Sequence, residues 1–234
     1  MKLSVLMPVY NESRWIDEIV RKVLSQTVEG IREVELIIVD DGSTDDTSEH
    51  IKQLAEKYGQ QICLYFHEKN KGKGAALQTA IQHMSGDICI VQDADLEYDP
   101  HDYPLLLEPI IQGRADCVYG SRFIGKQSKR VLFFWHYVGN RALTLLSNML
   151  TNLNLTDMET CYKAFRSTVL KSIPLRSRRF GFDPEVTAKI AKKKCRIFEV
   201  GISYNGRTYE DGKKITWLDG VQAILLIIKY RIID

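Results

Sequence analysis

Leu3-Ser4-Val5-Leu6-Met7-Pro8-Val9 and Leu36-Ile37-Ile38-Val39 decide the fold, because each is a short aliphatic run with the length of a buried strand. Between them, residues 15–26 place apolar side chains at helical spacing. The alternation continues with predicted helices over 46–58 and 74–83 and predicted strands over 62–66 and 88–92. This order predicts an α/β fold, with a mostly parallel sheet and helices on both faces.

The second half of the chain alternates less regularly. We predict strands over 117–119 and 197–202 and helices over 133–150, 182–193 and 218–230. A chain of 234 residues with 44% hydrophobic residues is long enough to bury one sizeable core, and nothing in it demands a second domain.

Composition excludes several classes of protein. A formal net charge of +2 is too small to indicate nucleic-acid binding. Five widely spaced cysteines without a C-x-x-C pair disfavour a disulfide framework and a zinc site, and they fit a reducing cytosol. The apolar run before Pro8 is shorter than a signal peptide, and the run over 221–228 is too short to cross a bilayer. We therefore expect a cytoplasmic chain.

Three carboxylates follow the predicted strand over 88–92 directly. In Asp93-Ala94-Asp95-Leu96-Glu97 they alternate at every second residue, which puts them on one side of an extended stretch. Carboxylates that converge in this way repel one another unless a cation lies between them, and oxygen ligands suit Mg²⁺ or Mn²⁺. The alternative is a solvated acidic turn.

Two further segments lie after predicted strands or open predicted helices. Asp40-Asp41-Gly42-Ser43-Thr44-Asp45 reads as a strand end and a helix cap, which leaves Asp40 and Asp41 free to accept a hydrogen bond from a base. Asn70-Lys71-Gly72-Lys73-Gly74 brings glycines and lysines to a helix start, a composition that suits a phosphate but is a weak signal alone.

Together, seven segments resemble one known family over nearly the whole chain. Their order and spacing resemble the inverting family 2 glycosyltransferases, which include dolichol-phosphate mannose synthase and bacterial polyprenyl-phosphate glycosyltransferases. The segments are Pro8-Val9-Tyr10-Asn11-Glu12, residues 39–45, residues 70–74, Asp93-Ala94-Asp95-Leu96-Glu97, Gly120-Ser121-Arg122-Phe123, residues 156–166, and Ser203-Tyr204-Asn205-Gly206-Arg207 with residues 212–215.

The resemblance implies a GT-A type, Rossmann-like nucleotide-sugar-binding fold. Residues 1–120 would form the nucleotide-sugar-binding part of a single domain, and residues 121–234 the acceptor side. The reaction implied is metal-dependent, inverting transfer of a hexose from a UDP- or GDP-sugar to a polyprenyl phosphate such as dolichyl or undecaprenyl phosphate.

The resemblance also implies roles for particular residues. Pro8, Tyr10 and Glu12 would line the nucleotide pocket, and Asp41, with Asp40, would contact the base. Asp93, Asp95 and Glu97 would hold Mg²⁺ or Mn²⁺, although some dolichol-phosphate mannose synthases carry glutamine where this chain has Glu97. The residues that we expect to bind the donor and acceptor phosphates are Lys73, Arg122, Arg130, Arg207, Lys213 and Lys214. For each basic residue the alternative is a solvated surface.

The acceptor decides whether a general base is needed. A phosphate monoester is largely anionic at neutral pH and needs none, whereas a hydroxyl acceptor needs one. Asp157 or Glu159 would then serve as base, unless each only orients Arg122 or Arg166. Two alternatives stay open: a soluble glycosyltransferase acting on a saccharide hydroxyl, and a nucleotide-sugar-binding module without turnover.

Basic and aromatic residues cluster in two places and suggest a membrane-facing surface. Lys126, Lys129 and Arg130 run into the aromatic segment 131–135, and Trp217 precedes the apolar run 221–228 with its basic flank. Such segments can lie in a membrane interface. The alternatives are burial of the aromatic segment in the core and pairing of the C-terminal helix with a second copy of the chain.

Overall fold

The computed structural model describes residues 1–125, 130–131, 133–179, 181–208 and 217–233. Its centre is a seven-stranded sheet with the order β3-β2-β1-β4-β6-β5-β7. The strands are β1 (Lys2–Val9), β2 (Glu33–Asp40), β3 (Ile62–Phe66), β4 (Ile88–Val91), β5 (Cys117–Ser121), β6 (Lys163–Arg166) and β7 (Ile197–Gly201).

Eight helices connect or cover these strands in the described part of the chain. They are α1 (Ile16–Leu24), α2 (Thr47–Tyr58), α3 (Lys73–His83), α4 (Tyr103–Ile111), α5 (Phe134–Thr151), α6 (Ser167–Lys171), α7 (Phe182–Lys192) and α8 (Trp217–Ile232). The first half is the predicted βαβα unit, in which β1 pairs in parallel with both β2 and β4, and β2 pairs in parallel with β3.

The sheet is mixed because β6 runs antiparallel between β4 and β5. The sequence pattern did not predict β6, since it has only four residues and begins with a lysine. It also missed α4, which carries Pro104 and Pro109 where a pattern-based prediction expects helix breakers, and the five-residue α6. The other predicted elements are confirmed within a few residues of their predicted ends.

The core lies on both faces of the sheet, as the near-continuous aliphatic strands predicted. Val5, Leu6 and Met7 in β1 are fully buried. Helix α1 covers one face with Ile16, Ile19, Val20 and Val23, which fall on one side of the helix. Each such side chain stabilises the fold by roughly 1.5–3 kcal/mol relative to its exposed state.

Helices α5 and α8 pack against each other and leave apolar side chains in solvent. Trp135 is 78% exposed and Phe134 is 65% exposed, so the described part of the aromatic segment 131–135 is not core. On α8, Val221, Leu225 and Ile228 are also exposed. Within the described ranges, none of the helices combines the length and the apolar character that a bilayer crossing requires.

Candidate active site

The predicted site residues meet at the carboxyl edge of the parallel strands. Val9 in β1 pairs with Asp40 in β2, and Leu6 pairs with Val91 in β4, so these three strands end close together. The loop after β4 carries Asp93, Asp95 and Glu97, and we call it the acidic loop. In open α/β sheets ligands bind outside this edge, near the strand where the sheet order reverses.

Lys73 and Asp93 form an ion pair in this edge. The Lys73 ammonium lies 2.6 Å from Asp93 Oδ1 and 2.9 Å from Oδ2. Burial opposes the charge of both groups, but their attraction outweighs it, so the pKa of Asp93 is lowered and that of Lys73 is raised. Residues 70–74, which the sequence suggested as a phosphate-binding helix start, therefore contact the acidic loop directly through this ion pair.

Arg207 is the centre of a second cluster of charges. Its guanidinium contacts Asp95 Oδ2 at 2.8 Å, Glu12 Oε2 at 3.1 Å and Glu97 Oε1 at 3.5 Å. The backbone N–H of Arg207 donates to Glu97 Oε1 at 2.8 Å, and the Tyr204 hydroxyl donates to Glu97 Oε2 at 2.9 Å. The segment 203–207 is thus folded onto the acidic loop from the far end of the sequence.

This corner holds more negative charge than Arg207 neutralises. Burial and the neighbouring charges of Asp93 and Glu97 raise the pKa of Asp95 to about 7, although Arg207 opposes the shift. Carboxylate oxygens of this kind fit a hard divalent cation such as Mg²⁺ or Mn²⁺. Among the described residues, no three His, Cys, Asp or Glu side chains are arranged to bind a metal. Lys73 contacts Asp93, and Arg207 contacts Asp95. A metal would share or replace these contacts.

The residues after β1 line the same edge. Pro8 and Tyr10 are half-buried, and Glu12 is buried beside Arg207. Two backbone N–H groups hold this turn against the loop after β2: that of Asn11 donates to Ser43 Oγ and that of Glu12 to Thr47 Oγ1, both at 2.9 Å.

Asp40 and Asp41 are both buried and bonded to the protein. Asp40 accepts from the Ser43 N–H at 2.9 Å and from the Ser48 hydroxyl. Asp41 accepts from the Lys71 N–H at 3.0 Å and the Gly72 N–H at 2.6 Å, and it lies 2.6 Å from His67 Nδ1. In this arrangement Asp41 fixes the loop that precedes Lys73, so contact with a nucleotide base stays a prediction.

Arg122 and Asp157 form a buried ion pair next to the acidic loop. Arg122 Nε donates to Asp157 Oδ2 at 2.6 Å and its Nη2 to Oδ1 at 2.7 Å. The backbone N–H of Arg122 and the Asn140 amide occupy the remaining positions on the carboxylate. Burial opposes ionisation of Asp157, but Arg122 outweighs it and the pKa of Asp157 is lowered. Asp157 therefore orients Arg122 and has no free lone pair for a substrate proton.

Three residues behind the acidic loop form a polar cluster that sequence reasoning only partly found. Lys163 is buried and donates to Asp183 and to the Thr160 carbonyl oxygen. Glu159 Oε1 is buried without a hydrogen-bond partner in the described structure. Burial and the charge of Asp183 raise the pKa of Glu159 to about 8. A lysine inside the apolar run 162–165 was the one sequence signal for this cluster.

The remaining predicted cations divide into two groups. Arg130 lies beside the segment 203–207: its N–H donates to the Tyr204 carbonyl at 2.9 Å and its guanidinium to the Gly206 carbonyl at 3.2 Å. Lys126, Lys129, Lys213 and Lys214 lie outside the described residues.

The protein has an α/β fold with a mostly parallel sheet, and acidic and basic side chains meet at the carboxyl edge where such sheets bind ligands. Residues 4–173 match the model of the family described as Glycosyl transferase family 2, and the chain belongs to that family. The family predicted from the seven sequence segments is therefore confirmed.

Two curated relatives illustrate the similarity. The undecaprenyl-phosphate 4-deoxy-4-formamido-L-arabinose transferase of Edwardsiella ictaluri is 27% identical over 214 residues, covering 90% of this chain and 62% of the relative. The dodecaprenyl-phosphate galacturonate synthase of Rhizobium johnstonii is 27% identical over 209 residues, covering 89% of this chain and 60% of the relative. The chain thus spans about three fifths of the length of these relatives.

A solved structure shows the same fold. The glucosyl-3-phosphoglycerate synthase of Mycobacterium tuberculosis, crystallised with Mn²⁺, UDP and glucosyl-3-phosphoglycerate, superposes with a TM-score of 0.73 at 20% identity. The match covers 98% of this chain and 79% of that one. The predicted GT-A type fold is confirmed.

Proposed function

We propose that the chain transfers a hexose from a UDP- or GDP-sugar to a polyprenyl phosphate at the cytoplasmic face of a membrane. The observation that carries the proposal is the meeting of Asp93, Asp95 and Glu97 with Lys73 and Arg207 at the carboxyl edge of the sheet. This combination of charges suits a diphosphate that arrives with a divalent cation. The relatives with polyprenyl-phosphate names support the choice of acceptor.

Asp93, Asp95 and Glu97 would hold Mg²⁺ or Mn²⁺. The cation would supply charge stabilisation for the nucleoside diphosphate as it leaves. Arg207 already touches two of these carboxylates, so its guanidinium is positioned to meet a donor phosphate once the carboxylates bind the metal. Lys73 would help to orient the donor through Asp93. Pro8 and Tyr10 lie half-buried along the same edge, where we place the nucleoside.

Arg122 would bind the acceptor phosphate. Asp157 fixes its guanidinium on one side, and Tyr204 covers it with its ring centre 5.2 Å away. A phosphate monoester attacks as an anion, so no residue needs to remove a proton. Because Asp157 has no free lone pair, the geometry favours this acceptor over a hydroxyl that would use Asp157 as base.

One observation supports a second candidate function, transfer to a saccharide hydroxyl. Glu159 has a buried oxygen without a hydrogen-bond partner among the described residues, and burial and Asp183 raise its pKa to about 8, so its carboxylate form becomes available as a general base as the pH rises through about 8. In that function Glu159 would accept the hydroxyl proton.

Turnover measurements separate the two functions. The purified chain is incubated with Mn²⁺ and a panel of UDP- and GDP-sugars, with a short-chain polyprenyl phosphate or with saccharides, and the released nucleoside diphosphate is followed. We expect release that needs metal and polyprenyl phosphate, is lost in Asp95→Asn and persists in Glu159→Gln. Release that needs a saccharide and is lost in Glu159→Gln would replace the proposal with the second function.

A further inference from the structure

A small basic pocket lies between the segment before α7 and helix α8. Its volume is about 190 Å³, and its lining includes Arg176, Arg178, Arg179 and Lys229. These cations come from two elements that are far apart in the sequence, so the fold itself brings four positive charges around one cavity. The predictions from sequence did not include the three arginines.

The charge of this pocket is not neutralised within the described structure. None of the four cations has a carboxylate within ion-pair distance among the described residues. Glu185 on α7 accepts from the backbone N–H groups of Arg176 and Ser177 and pairs with Lys189. Unpaired basic side chains around a cavity attract an anion.

The pocket is held in a fixed shape. The carbonyl groups of Arg178 and Arg179 accept hydrogen bonds from the N–H groups of Ala75 and Gly74 at the start of α3. Gly74 has no side chain, and a Cβ there would lie 2.3 Å from the Ser177 carbonyl oxygen, so the two segments approach closely. On the other side, the hydroxyls of Ser177 and Tyr230 lie 2.8 Å apart. Because its side chains and loops are already ordered, a pre-formed site loses less conformational entropy when a ligand binds.

The exposed apolar face of α8 lies beside the pocket. Gln222, Leu226 and Lys229 line the pocket at helical spacing. One position earlier along each turn, Val221, Leu225 and Ile228 are exposed, with Leu225 at 63%. A helix that presents apolar side chains next to basic ones is typical of a segment lying in a membrane interface.

We propose that this pocket binds the phosphate of an anionic phospholipid headgroup while the neighbouring face of α8 enters the membrane surface. The residues that line the pocket are not among those assigned to the donor and the acceptor, and the pocket would orient the enzyme on the bilayer. Charge complementarity and continuity with the exposed apolar face select a lipid as the source of the phosphate. The inference rests on the proposed function only in placing a membrane next to the chain.

Vesicle flotation tests this site directly. Wild-type chain is mixed with vesicles of phosphatidylcholine alone or with added phosphatidylglycerol. The variant R178Q/R179Q/K229Q removes three charges from the pocket and keeps the backbone carbonyls that hold α3. The matched control K192Q/K193Q/K194Q removes three exposed charges from the other end of α7. Leu225→Ser tests the apolar face with no change in charge.

We expect wild type and the control to float with vesicles that contain phosphatidylglycerol. The pocket variant should partition roughly a hundred-fold more weakly, at about 1 kcal/mol for each basic side chain near an anionic surface. Leu225→Ser should also weaken partitioning. Nucleoside diphosphate binding, measured on the same variants, should be unchanged, which separates failure of this proposal from failure of the proposed function.

Three results would overturn the proposal. In one, the pocket variant and the control partition equally. In another, wild type binds neutral and anionic vesicles alike, so charge is irrelevant. In the third, calorimetry shows that inorganic phosphate binds wild type but not the pocket variant while both float equally, which would assign the pocket to a soluble phosphate.

Discussion

Asp157→Asn tests whether Asp157 positions Arg122 or acts as a catalytic base. The carboxylate accepts four hydrogen bonds, three of them from Arg122, and it is fully buried. The substitution removes the counter-charge of a guanidinium whose side chain is only 16% exposed. Loss of one partner from a buried pair costs about 3–5 kcal/mol. We expect a cost at the lower end of this range, about 3 kcal/mol, because the Arg122 guanidinium would still contact solvent and the face of the Tyr204 ring.

Urea unfolding measures this loss. A change of about 3 kcal/mol moves the unfolding midpoint by roughly 1–2 M at an unchanged slope. The control Glu18→Gln removes one partner of an exposed pair on α1, with Lys22 3.5 Å away, and should change stability by less than about 0.5 kcal/mol.

The effect also has a definite pH dependence. The pKa of Asp157 is lowered from 3.8 in the folded chain, so its contribution to stability is present above pH 3.8 and is lost as the pH falls below it. The difference between wild type and Asp157→Asn should therefore shrink in acid. A variant as stable as wild type at neutral pH, yet without turnover, would refute the positioning role and make Asp157 a base.

Three further predictions follow from the charges around the acidic loop. Arg207→Met should lower the melting temperature, because three carboxylates lose the cation that they share. Adding Mn²⁺ should then raise the melting temperature of the variant by more than it raises that of wild type. Equal increases in the two proteins would contradict the account. In urea unfolding, the free energy of unfolding of Glu159→Gln relative to that of wild type should increase by more than about 1.4 kcal/mol as the pH rises from 4.5 to about 8. The reason is that residue 159 of wild type ionises in that range only when the chain is unfolded. A constant difference would show that Glu159 is not protonated in the fold. Lys163→Met should cost about 3 kcal/mol in the same assay by leaving Asp183 buried without a partner, and adding Asp183→Asn should recover much of it; additive losses would show that the two residues act separately.

Most of the first half of the fold was predictable from local sequence. The strands that became β1, β2 and β4 are aliphatic runs, and the intervening helices carry regular apolar stripes. Parallel strands end at one edge, so the position of the acidic loop followed from strand order alone. β6 was not predictable, because its pairing with β4 and β5 depends on tertiary contacts and not on local pattern.

The sequence named candidate residues that the fold brings to one edge, but it did not indicate the contacts between them. Asp95, Glu97 and Arg207 were identified, but nothing in the sequence indicates that Arg207 reaches carboxylates more than a hundred residues away. Asp40 and Asp41 show the opposite case. The sequence left both without a structural reason, whereas in the fold both accept hydrogen bonds that fix neighbouring loops.

The basic pocket beside α8 could not be found from sequence either. Arg176, Arg178 and Arg179 resemble any solvated basic loop until Lys229 is placed opposite them. Their approach depends on the close contact of Gly74 with the segment that carries them, and that contact joins residues about a hundred positions apart.

The most direct test of the proposed donor site is calorimetric titration of UDP and GDP into the chain with and without Mn²⁺. The account predicts that one nucleotide binds at least about tenfold more tightly with Mn²⁺, a difference of about 1.4 kcal/mol, and that Asp95→Asn removes this dependence. Equal binding with and without Mn²⁺, unchanged in Asp95→Asn, would contradict the assignment of the acidic loop to a metal-bound diphosphate.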